Sequence, residues 1–260
     1  MAITGAILGD IAGSWLEENW DANIDYKNYP LFTEQCQFTD DTVMTLAIKK
    51  AIDTGDNFIS TMREIGQNYP YCGWGKMFYY WIFCKDPKPY NSFGNGSAMR
   101  VSYIGEYYEN PLEVRKKARE SALVSHNHPE GVKGAVVTAM CIWMAKHGKT
   151  KDEILDYVIK EYPPEKYEFN ATQDLDYLRK NYTWDSTCQT SVSVAVRCFY
   201  ESDSYISFIQ NVFSIFCDTD TIGAIGGGIA EEYYKTTGLE NDKLLKKYLS
   251  KELYAIYKGE

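Results

Sequence analysis

The chain has no run of about 18 apolar residues anywhere in its 260 positions, so nothing in it is read as crossing a membrane. Its N-terminus lacks a basic segment, and Asp10, Glu17 and Glu18 interrupt the apolar residues there, so no signal peptide is expected. Its seven cysteines are odd in number and contain no C-x-x-C pair, which excludes a fully paired disulfide framework and points to a reduced, cytoplasmic compartment. Positive charge is in short supply: 27 Lys and Arg against 36 Asp and Glu leave a net charge of -9. That balance argues against a nucleic-acid backbone or an anionic membrane as the main partner. No G-x-x-x-x-G-K-[ST] loop occurs, and no third glycine completes G-x-G-x-x-G after Gly94 and Gly96. His126 and His128 lack the further His or Cys ligands that a zinc site needs. Convincing strands, internal repeats, linkers and low-complexity segments are also missing.

What is present is helical. The expected fold is all-α: one compact multi-helix domain over residues 1–260. Ala2 to Glu18 reads as a helix with glycines at 5, 9 and 13, a stripe that admits another helix closely although each glycine costs roughly 1 kcal/mol of propensity. Asp10 and Glu17 would share one face of it. Residues 19 to 37 read as a surface loop able to cover a site. Helical spacing follows from Val43 to Asp53, Asn57 to Tyr69, Glu113 to Ser125 and Val132 to Lys146. Thr150-x-x-Glu153 opens another helix as a capping box, which Pro163-Pro164 ends. Residues 165 to 185 read as polar surface. Helices are then expected over Thr187 to Tyr200, after a cap at Asp203, from Thr221 to about Tyr234 and from Asn241 to Tyr257. The glycines at 223 and 227 make a second close-packing stripe.

Two helix starts carry more oxygen than a helix start needs. Cys217-Asp218-Thr219-Asp220-Thr221 precedes the glycine-rich run, and Phe38-Thr39-Asp40-Asp41-Thr42 precedes the helix at Val43. A cap uses one Asp or Thr. The surplus in each cluster suits a hard divalent cation. Together with Glu17, the two clusters suit a pair of oxygen-ligated ions, most simply Mg²⁺ or Mn²⁺, about 3.5–4 Å apart. Carboxylates that close repel one another unless cations lie between them. The loop Asn91 to Arg100 is open to two readings, a plain turn or a nest of backbone N–H groups for a phosphate.

Four segments in order resemble the ADP-ribosylglycohydrolase family over about residues 3 to 235. They are Gly9-Asp10-Ile11-Ala12-Gly13-Ser14-Trp15-Leu16-Glu17, Thr39-Asp40-Asp41-Thr42, Gly94-Asn95-Gly96-Ser97-Ala98-Met99-Arg100 and Asp218-Thr219-Asp220-Thr221. The resemblance implies an all-α bundle with a dinuclear metal cleft. It implies a metal set of Thr39, Asp40, Asp41, Asp218, Asp220 and Thr221 for two Mg²⁺, with Mn²⁺ possible. It implies Glu17 as a movable acid, with Glu17 and Asp41 as candidates for general acid and base. Ser92, Phe93, Asn95, Gly96, Ser97 and His126 fall where the family holds ADP-ribose, Phe93 where an aromatic stacks on adenine. Ser125 stands where the family has Thr in a T-H pair. The family is usually larger, so trimmed loops around the cleft are expected.

The activity this implies is hydrolysis of the bond between ADP-ribose and an acceptor, such as an arginine or serine side chain of a modified protein. The competing readings are a hydrolase of a small ADP-ribose derivative or another nucleoside-type N-glycoside, and a non-catalytic ADP-ribose binder. A monomer is expected, since one chain supplies the whole site.

Overall fold

A computed structural model describes all of residues 1–260. Fifteen α-helices follow one another: α1 (Ala2–Gly13), α2 (Leu16–Asn19), α3 (Asp40–Thr54), α4 (Phe58–Gln67), α5 (Lys76–Phe83), α6 (Ser102–Tyr107), α7 (Pro111–Leu123), α8 (Pro129–Lys146), α9 (Lys151–Glu161), α10 (Leu175–Asn181), α11 (Cys188–Tyr200), α12 (Tyr205–Phe213), α13 (Thr219–Tyr234), α14 (Asn241–Tyr248) and α15 (Lys251–Lys258). The only β feature is an isolated bridge between Gly94 and Thr187. The fold is therefore all-α, as the sequence leads one to expect.

Two helices make the axis. Every residue of α1 is buried, as is every residue of α13 from Thr219 to Glu232. A helix apolar on all sides belongs at the centre of its domain. The two glycine stripes, read separately in the sequence, face each other. A β-carbon on Gly5 would lie 2.3 Å from the carbonyl oxygen of Gly227, one on Gly9 2.0 Å from that of Gly223, and one on Gly13 2.2 Å from that of Thr219. The pairing 5–227, 9–223, 13–219 makes the helices antiparallel. It also brings the C-terminal end of α1 against the N-terminal end of α13, where the Thr219 hydroxyl donates to the Gly13 carbonyl at 2.7 Å. At the opposite end, three carboxylates satisfy the free N–H groups of the first turn of α1. Glu232 accepts from Ala2 at 2.9 Å, Glu106 from Ile3 at 3.0 Å and Glu231 from Gly5 at 2.6 Å. The other helices wrap this pair with one continuous core of 63 buried residues.

The helices differ from expectation in several places, α5 and α6 being two that no spacing announced. The first helix does not reach Glu18 unbroken: it is interrupted after Gly13 and resumes as α2, with Ser14 and Trp15 still in the right-handed helical region, and Asp10 and Glu17 both reach Asp220 across the interruption. The Ser14 hydroxyl accepts from Gln37 N–H at 3.0 Å there, which ties the 19–37 loop to the cleft edge. Ser204, not Asp203, caps α12, in a reciprocal pair with Ser207. The last expected helix is two, because Leu249 is extended and Ser250 caps α15. Residues 165–185 are not all surface: Leu175, Leu178 and Tyr182 are buried by α10 and the residue after it.

Candidate metal centre and substrate cleft

The acid clusters meet where α1, α3 and α13 converge. Thr39 caps α3 by accepting from Asp41 N–H at 3.3 Å. Most of that helix start, however, is satisfied from α1. One oxygen of Asp10 accepts from Thr39 N–H at 3.0 Å, from Thr42 N–H at 3.1 Å and from the Thr42 hydroxyl; the other accepts from the Thr39 hydroxyl at 2.8 Å. Asp40 and Asp41 are thereby free of any capping role. The start of α13 has no side-chain cap at all. The Asp218 carboxylate instead accepts from the Asn95 amide at 2.8 Å, and Asp220 accepts from the adjacent Thr221 N–H at 2.7 Å. The first cluster keeps the expected cap through Thr39, whereas the second starts its helix without a side-chain cap.

Asp41 is buried and incompletely satisfied in this arrangement. Its Oδ2 accepts from the Thr221 hydroxyl at 3.1 Å and the Thr39 hydroxyl at 3.3 Å. Its Oδ1 is buried with no hydrogen-bond partner. A buried carboxylate oxygen left unpaired costs several kcal/mol of order unless something positive completes it. Two sets of carboxylate oxygens lie within 4.8 Å of one another, Asp10 with Asp41 and Asp220, and Glu17 with Asp218 and Asp220. Asp220 belongs to both, so the sets adjoin. An all-oxygen donor set of this kind fits hard divalent cations.

The electrostatics agree with that fit. Burial is the first cause of every shift, and neighbouring carboxylates add to most. Burial pushes Asp10 up to about 6 against its four hydrogen bonds. Burial and then the Asp218 charge take Glu17 to about 7, and burial and then the Glu17 charge take Asp220 to about 8. Burial first, and then the charge of Asp10 on Asp40 and of Asp220 on Asp41 and Asp218, also hold these three well above the usual carboxylate range. Lys76 is the single lysine or arginine lining the cleft.

A pH prediction follows from these directions. The cation-free folded protein holds protons on these acids that the unfolded chain has released by about pH 4–5. Stability of the cation-free protein therefore falls as pH rises from there through about 6, 7 and 8, where Asp10, Glu17 and Asp220 lose theirs. Glu231, raised to about 7 by burial at the far end of α1, adds to the same slope. Thermal unfolding in EDTA should show the melting temperature dropping across this range, and added Mg²⁺ should raise it more at about pH 8 than at pH 5. A cation effect that is flat with pH would contradict the charge balance described here.

The cleft above the acids has a volume of about 940 Å³, within the range of small-molecule sites. Thr39, Asp40, Asp41, Asp218, Asp220, Thr221 and Glu17 line it, together with Ser92, Phe93, Asn95, Gly96 and His126. The loop carrying the last group is pinned to the start of α11: Asn95 N–H donates to Ser186 O at 2.8 Å and Cys188 N–H to Phe93 O at 2.9 Å. Phe93 remains half-exposed, its ring 5.1 Å from that of His128. Ser97 sits differently. Its side chain is fully buried and donates to Gly131 O at 2.7 Å, so it turns away from the cleft. Asn95 reaches the cleft, but its amide is engaged by Asp218 and by Ser191 at 3.0 Å. It therefore links the glycine-rich loop to the acid cluster.

The candidate site residues read from the sequence leave out Asp10, although its apolar surroundings and its pairing with Glu17 already suit a buried or cleft position. The signal was available: Asp10 lies between two glycines of the close-packed stripe, an expensive place for a carboxylate without a task. Asp10→Ala should lower stability by about 2–4 kcal/mol in urea titrations at saturating Mg²⁺, since it strands the buried N–H groups of Thr39 and Thr42. Unchanged stability would mean that α3 does not depend on this cap. Trp15, Glu18, Gln35, Gln37, Tyr90 and Trp184 are further lining residues that no motif singles out.

Comparison with known proteins gives a family and a fold. The family model for ADP-ribosylglycohydrolase matches residues 1–252. ADP-ribosylhydrolase ARH3 of Bos taurus is 26% identical over 305 aligned positions, covering 89% of this chain and 83% of that protein. ADP-ribosylhydrolase ARH3 of Mus musculus is 27% identical over 262 positions, covering 78% and 70%. The bovine alignment is longer than this 260-residue chain, so that relative carries segments without a counterpart here. A solved structure titled ADP-ribosylglycohydrolase-related protein complex superposes with a TM-score of 0.69 over 98% of this chain and 95% of its own, at 19% identity, a likeness of fold. With the family model spanning nearly every residue from α1 to α15, the chain belongs to the ADP-ribosylglycohydrolase family.

Proposed function

We propose that this protein is a divalent-cation-dependent hydrolase that cleaves the glycosidic bond between ADP-ribose and an acceptor, the acceptor being an arginine or serine side chain of a modified protein. The observation that carries the reading is Asp41 Oδ1, buried and unpaired, with the charges of Asp10, Asp40, Asp218 and Asp220 around it. Thr39, Asp40, Asp41, Asp218, Asp220 and Thr221 would hold two cations, Mg²⁺ by preference and Mn²⁺ by the same donor chemistry. Bound there, the ions supply Lewis acidity and offset the negative charge of a diphosphate substrate beside so many acids.

The chain's own groups do the rest. Glu17, half-buried with its proton affinity raised to about 7, can give or take a proton at the acceptor bond near neutral pH. Asp41 is the second candidate for that transfer. Carboxylates around the ribose C1 favour the positive charge that develops there as the bond breaks. Asn95 holds Asp218 in position. The Phe93 ring offers a flat face for adenine, and the backbone at Gly96 allows a diphosphate to approach closely. The reading takes the protein as a cytoplasmic monomer. All seven thiols are free, and no helix is long and apolar enough to cross a membrane.

The test is a panel of ADP-ribosyl linkages (arginine, serine, acetyl ester, phosphate) assayed with Mg²⁺ and with EDTA. Release of ADP-ribose from the arginine or serine substrate, lost in EDTA and restored by Mg²⁺, is the expected result. Equal rates with and without chelator would remove the cation from the reaction. Tight ADP-ribose binding with no linkage cleaved would favour a binding protein instead.

A further inference from the structure

Arg100 is a fully buried guanidinium that makes no ion pair. Burial lowers its pKa only to about 10, so it stays charged and can only donate. Its Nη1 donates to Gly96 O at 3.1 Å, and its Nη2 to Ser121 O at 2.7 Å and to Ser125 Oγ at 3.1 Å. Its Cζ lies over the Phe78 ring, 5.6 Å from the centroid. A buried arginine without a carboxylate is costly, and its position calls for a reason beyond packing.

The hydroxyl of Ser125 accepts from Arg100, so its own hydrogen is left for another acceptor. The one other atom in reach is His126 Nδ1, at 2.8 Å. A hydroxyl that donates to Nδ1 requires Nδ1 to be the unprotonated nitrogen, which leaves the ring hydrogen on Nε2. Burial and the Arg100 charge also oppose a second proton on the ring. Phe78 and Tyr90, with ring centroids 6.1 and 5.8 Å away, flank the imidazole. Nε2 has no partner within the chain and faces the cleft beside Gly96, where a β-carbon would lie 3.2 Å from it.

We propose that Arg100 and Ser125 are positioning residues that fix His126 as a neutral imidazole with its Nε2–H aimed into the cleft, as a donor for an oxygen that can only accept. A phosphate oxygen of the ADP-ribosyl diphosphate is such an acceptor. The opposite tautomer would present a lone pair to it and repel it. Arg100 also engages the carbonyl of Gly96, the residue beside Nε2. This role toward substrate rests on the proposed function; the state of the ring does not.

Two measurements separate the two. Long-range ¹H–¹⁵N spectra of the ligand-free protein, with the His126 ring assigned by its absence in His126→Ala, should show the Nε2–H tautomer and an Nδ1 displaced by a hydrogen bond. In Ser125→Ala, Nδ1 should move to the position of an unbonded nitrogen, and ADP-ribose affinity by calorimetry in Mg²⁺ should fall about tenfold. Ser125→Thr keeps the hydroxyl and should restore both readouts. An Nδ1–H ring in the wild type overturns the proposal. So does a folded Ser125→Ala protein that binds ADP-ribose as tightly as the wild type. The expected ring state in a protein that binds no ADP-ribose would uphold the hydrogen-bond chain and overturn the reading of the substrate.

Discussion

Asp41→Ala should cut hydrolysis of an ADP-ribosylated peptide by about a thousandfold, the scale of losing a preorganised electrostatic group at the reacting centre. The effect on stability has an unusual sign. Asp41 is a buried acid with four aspartate charges around it and an unpaired oxygen. Its removal relieves repulsion in the cation-free protein, so the variant in EDTA should melt no lower than the wild type at neutral pH. Mg²⁺ should raise the melting temperature of the wild type and leave the variant nearly unmoved. The combination, an inactive protein that is as stable without cations and deaf to them, separates a functional acid from a structural one. Substantial activity in the variant, or an undiminished Mg²⁺ shift, would remove Asp41 from the site.

Gly9→Ala is the second large effect, and helix propensity predicts the opposite sign. In the interior of a helix, alanine is better than glycine by roughly 1 kcal/mol. At Gly9 the added carbon would sit 2.0 Å from the Gly223 carbonyl oxygen and 2.4 Å from its carbon, atoms of a neighbouring backbone that no rotamer change can move. The two central helices must separate. Overpacking of a tight core costs typically 1–3 kcal/mol, and a backbone-to-backbone clash belongs at or above the upper end. A net loss of about 2 kcal/mol or more in urea is expected. Activity should fall further than stability, because Asp10 is the next residue on one helix and Asp220 precedes Gly223 by three on the other. Gly223→Ala meets the Gly9 carbonyl oxygen at 2.4 Å and should behave alike. Stabilisation by either substitution would show that the interface is looser than described.

The same two sites show how far the chain is legible before it folds. Helix content is readable because apolar periodicity and caps are local. Thr150 and Glu153 form the capping box their spacing announces. The break after Gly13 was not readable, since a helix pattern continues to Glu18. At the interruption the Ser14 hydroxyl accepts from Gln37 N–H, a partner that sequence periodicity cannot show. The hidden helix α10 escaped for a related reason: Leu175 and Leu178 are too few to make a pattern, and their burial is conferred by neighbours distant in sequence.

By itself the sequence determined the chemistry on offer: two clusters of surplus acids at helix starts, a glycine-rich loop, and motifs in an order that pointed to one family. Those are properties of short stretches, set by residue type and spacing. Tertiary structure alone decided which acids are spare. Asp10 joins Thr39 in satisfying the start of α3 from a separate helix, Asn95 orients Asp218 across more than a hundred residues, and Asp41 is left with an oxygen that nothing in the chain satisfies. Hydrogen-bond capacity is shared out among groups that meet only when the glycine stripes of α1 and α13 close against each other. No local pattern can state which oxygen remains over.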